Sequence, residues 1–231
     1  MLTLAVESSA SAASAALLKD NFLIAEVFQN TSLTHSQTLV PMIHDMLKNT
    51  SVSLDEVDLL AVAHGPGSFT GLRIGVSAVK GLAFTSNKPC AGVSTLEAMA
   101  YNLLFFEGIV CCVMDARCHQ VYNGLFEVKN STITRLCDDR PIAIDDLASE
   151  LTNYQSIPIA LVGDGAILCA SSPSFEAQKN IQLVPGHLRY QRAFGVAMAA
   201  QTAEKTTCDQ LRPVYLRLPQ ATRELKGRMN K

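Results

Sequence analysis

No run of apolar residues in this sequence approaches the roughly 18–20 that a membrane-spanning helix needs. The longest, at residues 109–114 and 157–162, are short and bounded by polar positions. The opening Met-Leu-Thr-Leu-Ala-Val-Glu lacks the basic flank of a secretory leader and reads as a strand. A cytoplasmic protein with no membrane partner is therefore expected. No C-x-x-C pair occurs among the seven cysteines, which removes the commonest zinc and dithiol signatures. Several thiols, Cys111 and Cys112 among them, lie in apolar stretches and are expected to be reduced core residues. Charge is sparse as well: charged residues make up 17% of the chain against 48% hydrophobic. That balance supplies a sizeable core and argues against disorder.

The signatures of several chemistries are missing too. No Gly-Lys-Ser/Thr follows the one long glycine-rich segment, so it is not a Walker phosphate loop. Gly-x-Ser-x-Gly around Ser68 would need glycine at Pro66 and Thr70, so it is not a nucleophile elbow. His35 and His44 are nine residues apart; at about 100° per helical residue they point to opposite faces and cannot share an ion. His119 beside Cys118 lacks an acid at useful spacing. Neither a metal site nor a catalytic residue is expected.

What is present is an order of elements. Residues 2–7, 14–18 and 22–28 read as a three-strand meander with Lys19-Asp20-Asn21 as a turn. A helix follows at 35–47, with Leu39, Ile43, Met46 and Leu47 on one face. Residues 57–63 form an apolar strand suited to burial on both faces. The segment His64-Gly-Pro-Gly-Ser-Phe-Thr-Gly71 leads from it into a helix at 72–85, and a short strand at 90–93 and a helix at 94–104 close the first half. The pattern then restarts with strands at 109–114, 120–128 and 132–136, a helix at 144–151, a strand at 157–162 and a helix at 189–204. Two similar α/β halves of the RNase-H-like type are expected, at 1–105 and 106–205. Residues 206–231 are expected to return to the first lobe and end in a basic tail.

That tail carries six basic residues (Arg212, Arg217, Arg223, Lys226, Arg228, Lys231) against Glu224. Its charge is +5; the whole chain is −2, so residues 1–211 sum to −7. The tail reads either as solvated terminal charge or as a phosphate contact. The glycine segment likewise has two readings: a structural turn, or a loop facing a ligand or partner. The 72–85 helix is apolar nearly all round, with only Arg73 and Lys80 charged. Such a helix must be covered on every side. A partner-facing surface shared with the 35–47 helix and built from Met42, Met46, Ile74 and Ala78 is expected.

The segments Gly65-Pro-Gly-Ser-Phe-Thr-Gly-Leu-Arg-Ile-Gly75 and Lys80-Gly-Leu-Ala83 resemble the TsaB (YeaZ) family. So do Leu4-Ala-Val-Glu-Ser-Ser9, His35-Ser-Gln37, Gly92-Val-Ser-Thr-Leu-Glu-Ala98, Met114-Asp-Ala-Arg117, Val121-Tyr122, Leu161-Val-Gly-Asp-Gly-Ala166 and Pro213-Val-Tyr-Leu-Arg217. The matches run in order over nearly the whole chain, and the long glycine segment is specific. The resemblance implies the actin-like ATPase (ASKHA) fold, with two lobes each holding a mixed sheet flanked by helices. It also implies a part in making tRNA threonylcarbamoyladenosine beside the anticodon. In that pathway TsaC-type enzymes make threonylcarbamoyl-adenylate, a TsaD-type transferase moves the group to tRNA, TsaB binds TsaD, and TsaE is an ATPase acting on the pair. TsaD-like proteins carry two metal-binding histidines where this chain has Thr95 and Met99, so it resembles the degenerate partner. Nucleotide candidates are Glu7, at a place where relatives usually have Asp, with Asp115, Gly163 and Gly165. No cofactor is expected on the chain alone; ATP or ADP is expected only in a complex with TsaD and TsaE, as is tRNA contact through the tail. An ATPase or kinase of this fold and a glycoprotease-like peptidase are the competing readings.

Overall fold

The computed structural model describes residues 1–31 and 33–217. The first strands, β1 (Leu2–Glu7), β2 (Ala13–Lys19) and β3 (Phe22–Gln29), form the meander, followed by helix α1 (His35–Thr50). Then come β4 (Leu59–Gly65), α2 (Phe69–Ser86), β5 (Cys90–Ser94) and α3 (Thr95–Tyr101). The second half holds β6 (Gly108–Arg117), β7 (Gln120–Lys129), β8 (Thr132–Arg135), β9 (Arg140–Ala143) and α4 (Ile144–Leu151). It ends with β10 (Ile159–Val162), α5 (Ala166–Ala170), α6 (Pro173–Glu176), β11 (Ile181–Leu183), α7 (Gly186–Arg189) and α8 (Ala193–Ala199).

The first sheet has the order β3-β2-β1-β4-β5 and the second β8-β7-β6-β10-β11, with β9 paired to β7. In each, the founding strand is antiparallel to its hairpin partner and parallel to the strand on its other side. The second half thus repeats the topology of the first. This is the two-lobed actin-like architecture that the resemblance implies.

Side-chain periodicity explains the layers. On α1, Leu39, Met42, Ile43 and Met46 fall at i, i+3, i+4 and i+7, and all four are buried. They meet Leu4 and Val6 of β1 and Val76, Val79 and Ala83 of α2 in one cluster. Met42 and Met46 therefore belong to the chain's own core and not to a partner surface, which corrects the expectation for both. Each buries a flexible thioether side chain worth roughly 1.5–3 kcal/mol against water. α1 ends on Ser51 and α2 on Asn87, both left-handed (φ 55° and 50°).

Two helices change lobes. α3, which follows the first sheet in sequence, packs Leu96, Met99 and Ala100 against Val110, Cys112, Phe126 and Val128 of the second. α8, from the end of the second half, lays Ala193, Val196, Ala197 and Ala200 on Ala5, Ala16, Ala61 and Ala91 of the first sheet. Small residues on both sides bring this helix close. Where α3 and α8 cross, a Cβ on Gly195 would stand 1.9 Å from the Ala98 carbonyl oxygen. The lobe boundary expected near residues 105 and 205 is thus crossed by packing at both ends.

The helix expected at 189–204 divides. Tyr190–Arg192 are not helical, because Gln191 turns in to Asp164 and Arg192 pairs with Glu26 at 2.6 Å. β9, β11, α5 and α6 were not anticipated. Residues 206–217 run back along the first lobe: Thr206 bridges Cys90 through paired backbone hydrogen bonds of 2.8 Å, and Leu211 enters the α1–α2 core. Arg223, Lys226, Arg228 and Lys231 lie outside the described residues. All seven thiols are free; Cys90, Cys111, Cys112 and Cys169 are buried, while Cys118 is exposed. Among the described residues, no helix is long and apolar enough to cross a membrane.

Candidate functional site

A cleft of about 490 Å³ separates the lobes at the carboxyl ends of β1 and β6. Its walls are Ser9–Ser11 after β1, Gly67–Thr70 at the start of α2, Met114–Arg117 on β6, Asp164 after β10, and the returning segment Val214–Arg217. Crevices at such strand ends are where open α/β sheets receive ligands.

The glycine segment owes its composition to contact within the chain. A Cβ on Gly67 would meet the Ser9 carbonyl oxygen at 2.6 Å, and one on Gly71 the Ser8 oxygen at 2.1 Å. Ser68 N–H donates to Ser9 O at 2.7 Å and Ser8 Oγ–H to Gly71 O at 2.9 Å. Gly65 is held at φ 141°, with Val214 O at 2.2 Å from the place of a Cβ. Backbone, not an open cradle, fills the space these glycines leave. Of the two readings of the segment, the structural turn holds for the glycines themselves, while Ser68, Phe69 and Thr70 face the cleft.

The four nucleotide candidates do not share one surface. Asp115 lines the cleft and pairs with Arg117 at 3.1 Å. Glu7 lies beneath it, fully buried, with Oε1 accepting from Ser9 N–H and Oε2 unpartnered. Burial pushes the Glu7 carboxyl up to about 7; hydrogen bonds from Ser9 oppose this and the neighbouring Asp164 adds to it. Gly163 and Gly165 spend their missing side chains on β6, where a Cβ would meet Val113 O at 1.9 Å and Asp115 N at 3.0 Å. Asp164, part of the Leu161–Ala166 motif but not among the four candidates, sits between them. Its carboxyl is also raised by burial, against a hydrogen bond from Gln191 Nε2 at 3.0 Å. The signal was available: like Glu7 and Asp115, it is an acid at the end of an apolar strand. Glu7 and Asp164 thus place two burial-raised carboxyls under the cleft, beside glycines whose space is filled by backbone.

Thr95 and Met99 are both fully buried. Met99 packs among Val110, Cys112 and Met114, with its sulfur 3.3 Å from the place of a Gly163 Cβ. The start of α3 is instead tied to the second lobe by ions: Arg135 reaches Glu97 at 2.8 Å and Asp139 at 2.6 Å, and Ser94 bonds Asp139. Among the described residues no group of three or more His, Cys, Asp or Glu could hold a metal ion.

Of the four residues expected to face a partner, the two on α2 reach the surface. Ile74 and Ala78 are partly exposed and line an open groove of about 590 Å³ with His35, Ser36, Leu39 and Val40 of α1 and Phe69, Thr70, Arg73 and Ser77 of α2. Val40, not Met42 or Met46, is the exposed apolar side chain of α1 there, at 53%. His35 Nε2 is fixed at 2.7 Å from Ala10 O. His44 pairs with its neighbour Asp45 on the surface.

Similarity to known proteins agrees with this arrangement. The TsaD family model, tRNA N6-adenosine threonylcarbamoyltransferase, matches residues 27–222. The chain is 30% identical over 234 residues to the tRNA threonylcarbamoyladenosine biosynthesis protein TsaB of Escherichia coli K12, covering 99% of this chain and 100% of that one. It is 33% identical over 163 residues to the TsaB of Bacillus subtilis, covering 71% of each. Among solved structures, YeaZ from Pseudomonas aeruginosa superimposes with a TM-score of 0.78 at 27% identity, over 93% of this chain and 99% of the other. Matched along its length in sequence and in architecture, the chain belongs to the TsaB (YeaZ) family of tRNA threonylcarbamoyladenosine biosynthesis proteins.

Proposed function

We propose that this chain is a non-catalytic subunit that binds and supports a TsaD-type transferase through the α1–α2 groove. The observation that carries the reading is the groove itself: Val40, Phe69, Ile74 and Ala78 line an open hollow between two helices whose inner faces are already satisfied. A homologous helix pair laid into it would form a pseudo-symmetric four-helix contact. The same face can pair with a second copy of this chain, so a homodimer competes with the heterodimer. Thr95 and Met99, where a TsaD-type protein has imidazoles, support the absence of transferase chemistry. A TsaE-type ATPase acts on the assembled pair, where ATP or ADP binds, and the basic tail meets tRNA only there. The setting is the cytoplasm.

A charge in the groove tests the assembly. Val40→Glu and Ala78→Glu should abolish co-elution with a TsaD-type protein, because a carboxylate buried without a partner costs about 3–5 kcal/mol. Val40 is exposed, so its variant should melt close to the parent, within about 0.5 kcal/mol. Unchanged complex mass by light scattering sinks the proposed interface. The purified chain alone should neither hydrolyse peptides nor transfer threonylcarbamoyl to tRNA; turnover abolished by Glu7→Gln or Asp115→Asn would overturn the scaffold reading.

A further inference from the structure

The returning segment 213–217 touches the end of β4, the end of β6 and the first turns of α2. Its Val214 N–H donates to His64 O at 2.7 Å, at the end of β4 in the first lobe. The Arg217 guanidinium donates to Ala116 O at 2.7 Å, at the end of β6 in the second lobe. Between them the Tyr215 ring lies on Phe69, with centroids 4.8 Å apart, and its hydroxyl accepts from Arg73 Nε at 3.1 Å. Arg73 in turn stacks its guanidinium 3.7 Å above the Phe69 ring. Phe69 and Thr70 line both the interlobe cleft and the α1–α2 groove.

We propose that residues 213–217 are a clip that fixes the two lobes to each other and couples the interlobe cleft to the α1–α2 groove. The clip is a wall of the cleft, so the space there depends on where Tyr215 and Arg217 sit. Tyr215, held between the two anchors of the segment, contacts both Phe69 and Arg73 at the mouth of the groove. A change of lobe angle stretches the Arg217 bond first. It then pulls Tyr215 from Phe69 and alters the surface that the groove offers. Gly65 makes this attachment close, since any side chain there would displace the Val214 carbonyl. The relevance to assembly rests on the groove being the partner face; the coupling rests only on contacts within this chain.

Amide hydrogen exchange on the full chain without a partner tests the coupling, so its failure is separate from failure of the partner reading. Three reporters have identified bonds: Arg117 N–H to Asp115 Oδ1 in the second lobe, Val214 N–H in the clip, and Leu72 N–H to Ser68 O in the first turn of α2. Arg217→Ala removes the second-lobe end and Tyr215→Ala the groove end. Both side chains are partly exposed, so the fold should hold. Each variant should speed exchange at the far reporter as well as its own, by about tenfold, the effect of one hydrogen bond from a charged donor. Arg212→Ala, whose bonds to Asp209 and Leu211 are local, should leave all three unchanged. If Arg217→Ala leaves Leu72 at the parental rate while Tyr215→Ala leaves Arg117 at its own, the segment is a surface strap without coupling and the proposal fails.

Discussion

Glu7→Gln is expected to stabilise the folded chain by up to about 3 kcal/mol at pH 8 and to change little at pH 4. The carboxyl is wholly buried, and its titration point moves from 4.5 to about 7, with burial as the main cause and Asp164 as an additional repulsion. Between these values the folded chain keeps a proton that the unfolded chain has released. Stability must then fall as pH rises through this window, and above pH 7 the full penalty of a buried charge is present. Glutamine has the same shape, retains an oxygen for Ser9 N–H, and has no charge to desolvate. Asp164 is raised in the same direction, so the variant keeps a weaker slope of the same sign. Urea unfolding at pH 5, 6, 7 and 8 would measure it. Parallel profiles for parent and variant would show that Glu7 is ionised and solvated at neutral pH.

The raised carboxyl of Glu7 also bears on ligand binding. An acid that helps to hold a hydrated metal and phosphate has to be charged and to face the ligand. Glu7 is beneath the cleft surface, capped by Ser9, with its carboxyl raised to about 7 by burial. The proposed scaffold role requires no charge at Glu7.

Much of the fold was legible because periodicity reports burial. β4 is apolar from Leu59 to Ala63 and lies two residues beyond the expected 57–63, while α4 has apolar residues at the spacing of one helical face and spans the expected 144–151. The repeated order of elements pointed to two lobes although residue identity between the halves is too low to prove a repeat. The short pieces were hidden for physical reasons. β9 has four residues with a proline, and β11 has three, too few for alternation to show. The break before α8 arises from Gln191 and Arg192, whose partners Asp164 and Glu26 are far away in sequence. Met42 and Met46 were legible and misread: with Leu39 and Ile43 they form one stripe, so they had to be buried together. The groove depended instead on Val40 and Phe69, whose exposure follows from how α1 and α2 lie against each other. No single-helix pattern contains that relation. The clip was visible only as a matching motif, because a segment that crosses two lobes has no period to read.

Two glycines in α2 should respond to alanine with opposite signs. Gly71 lies against the end of β1, where a new Cβ would stand 2.1 Å from the Ser8 carbonyl oxygen. That atom is backbone in a buried turn that also receives Ser68 N–H on the next residue. The helix start would have to move away, and overpacking of this kind costs about 1–3 kcal/mol. Gly71→Ala should therefore melt lower by several degrees, with the loss centred on the turn after β1. Gly81, ten residues further along, has nothing within 4 Å of its added carbon and is exposed. There alanine gains helix propensity and restricts the unfolded chain, so Gly81→Ala should add about 0.5–1 kcal/mol. Thermal melting of the pair on one background decides between close packing and general helix weakness as the role of these glycines. Stabilisation by both substitutions would mean that α2 does not rest on Ser8, and would remove the backbone contact that fills the glycine segment.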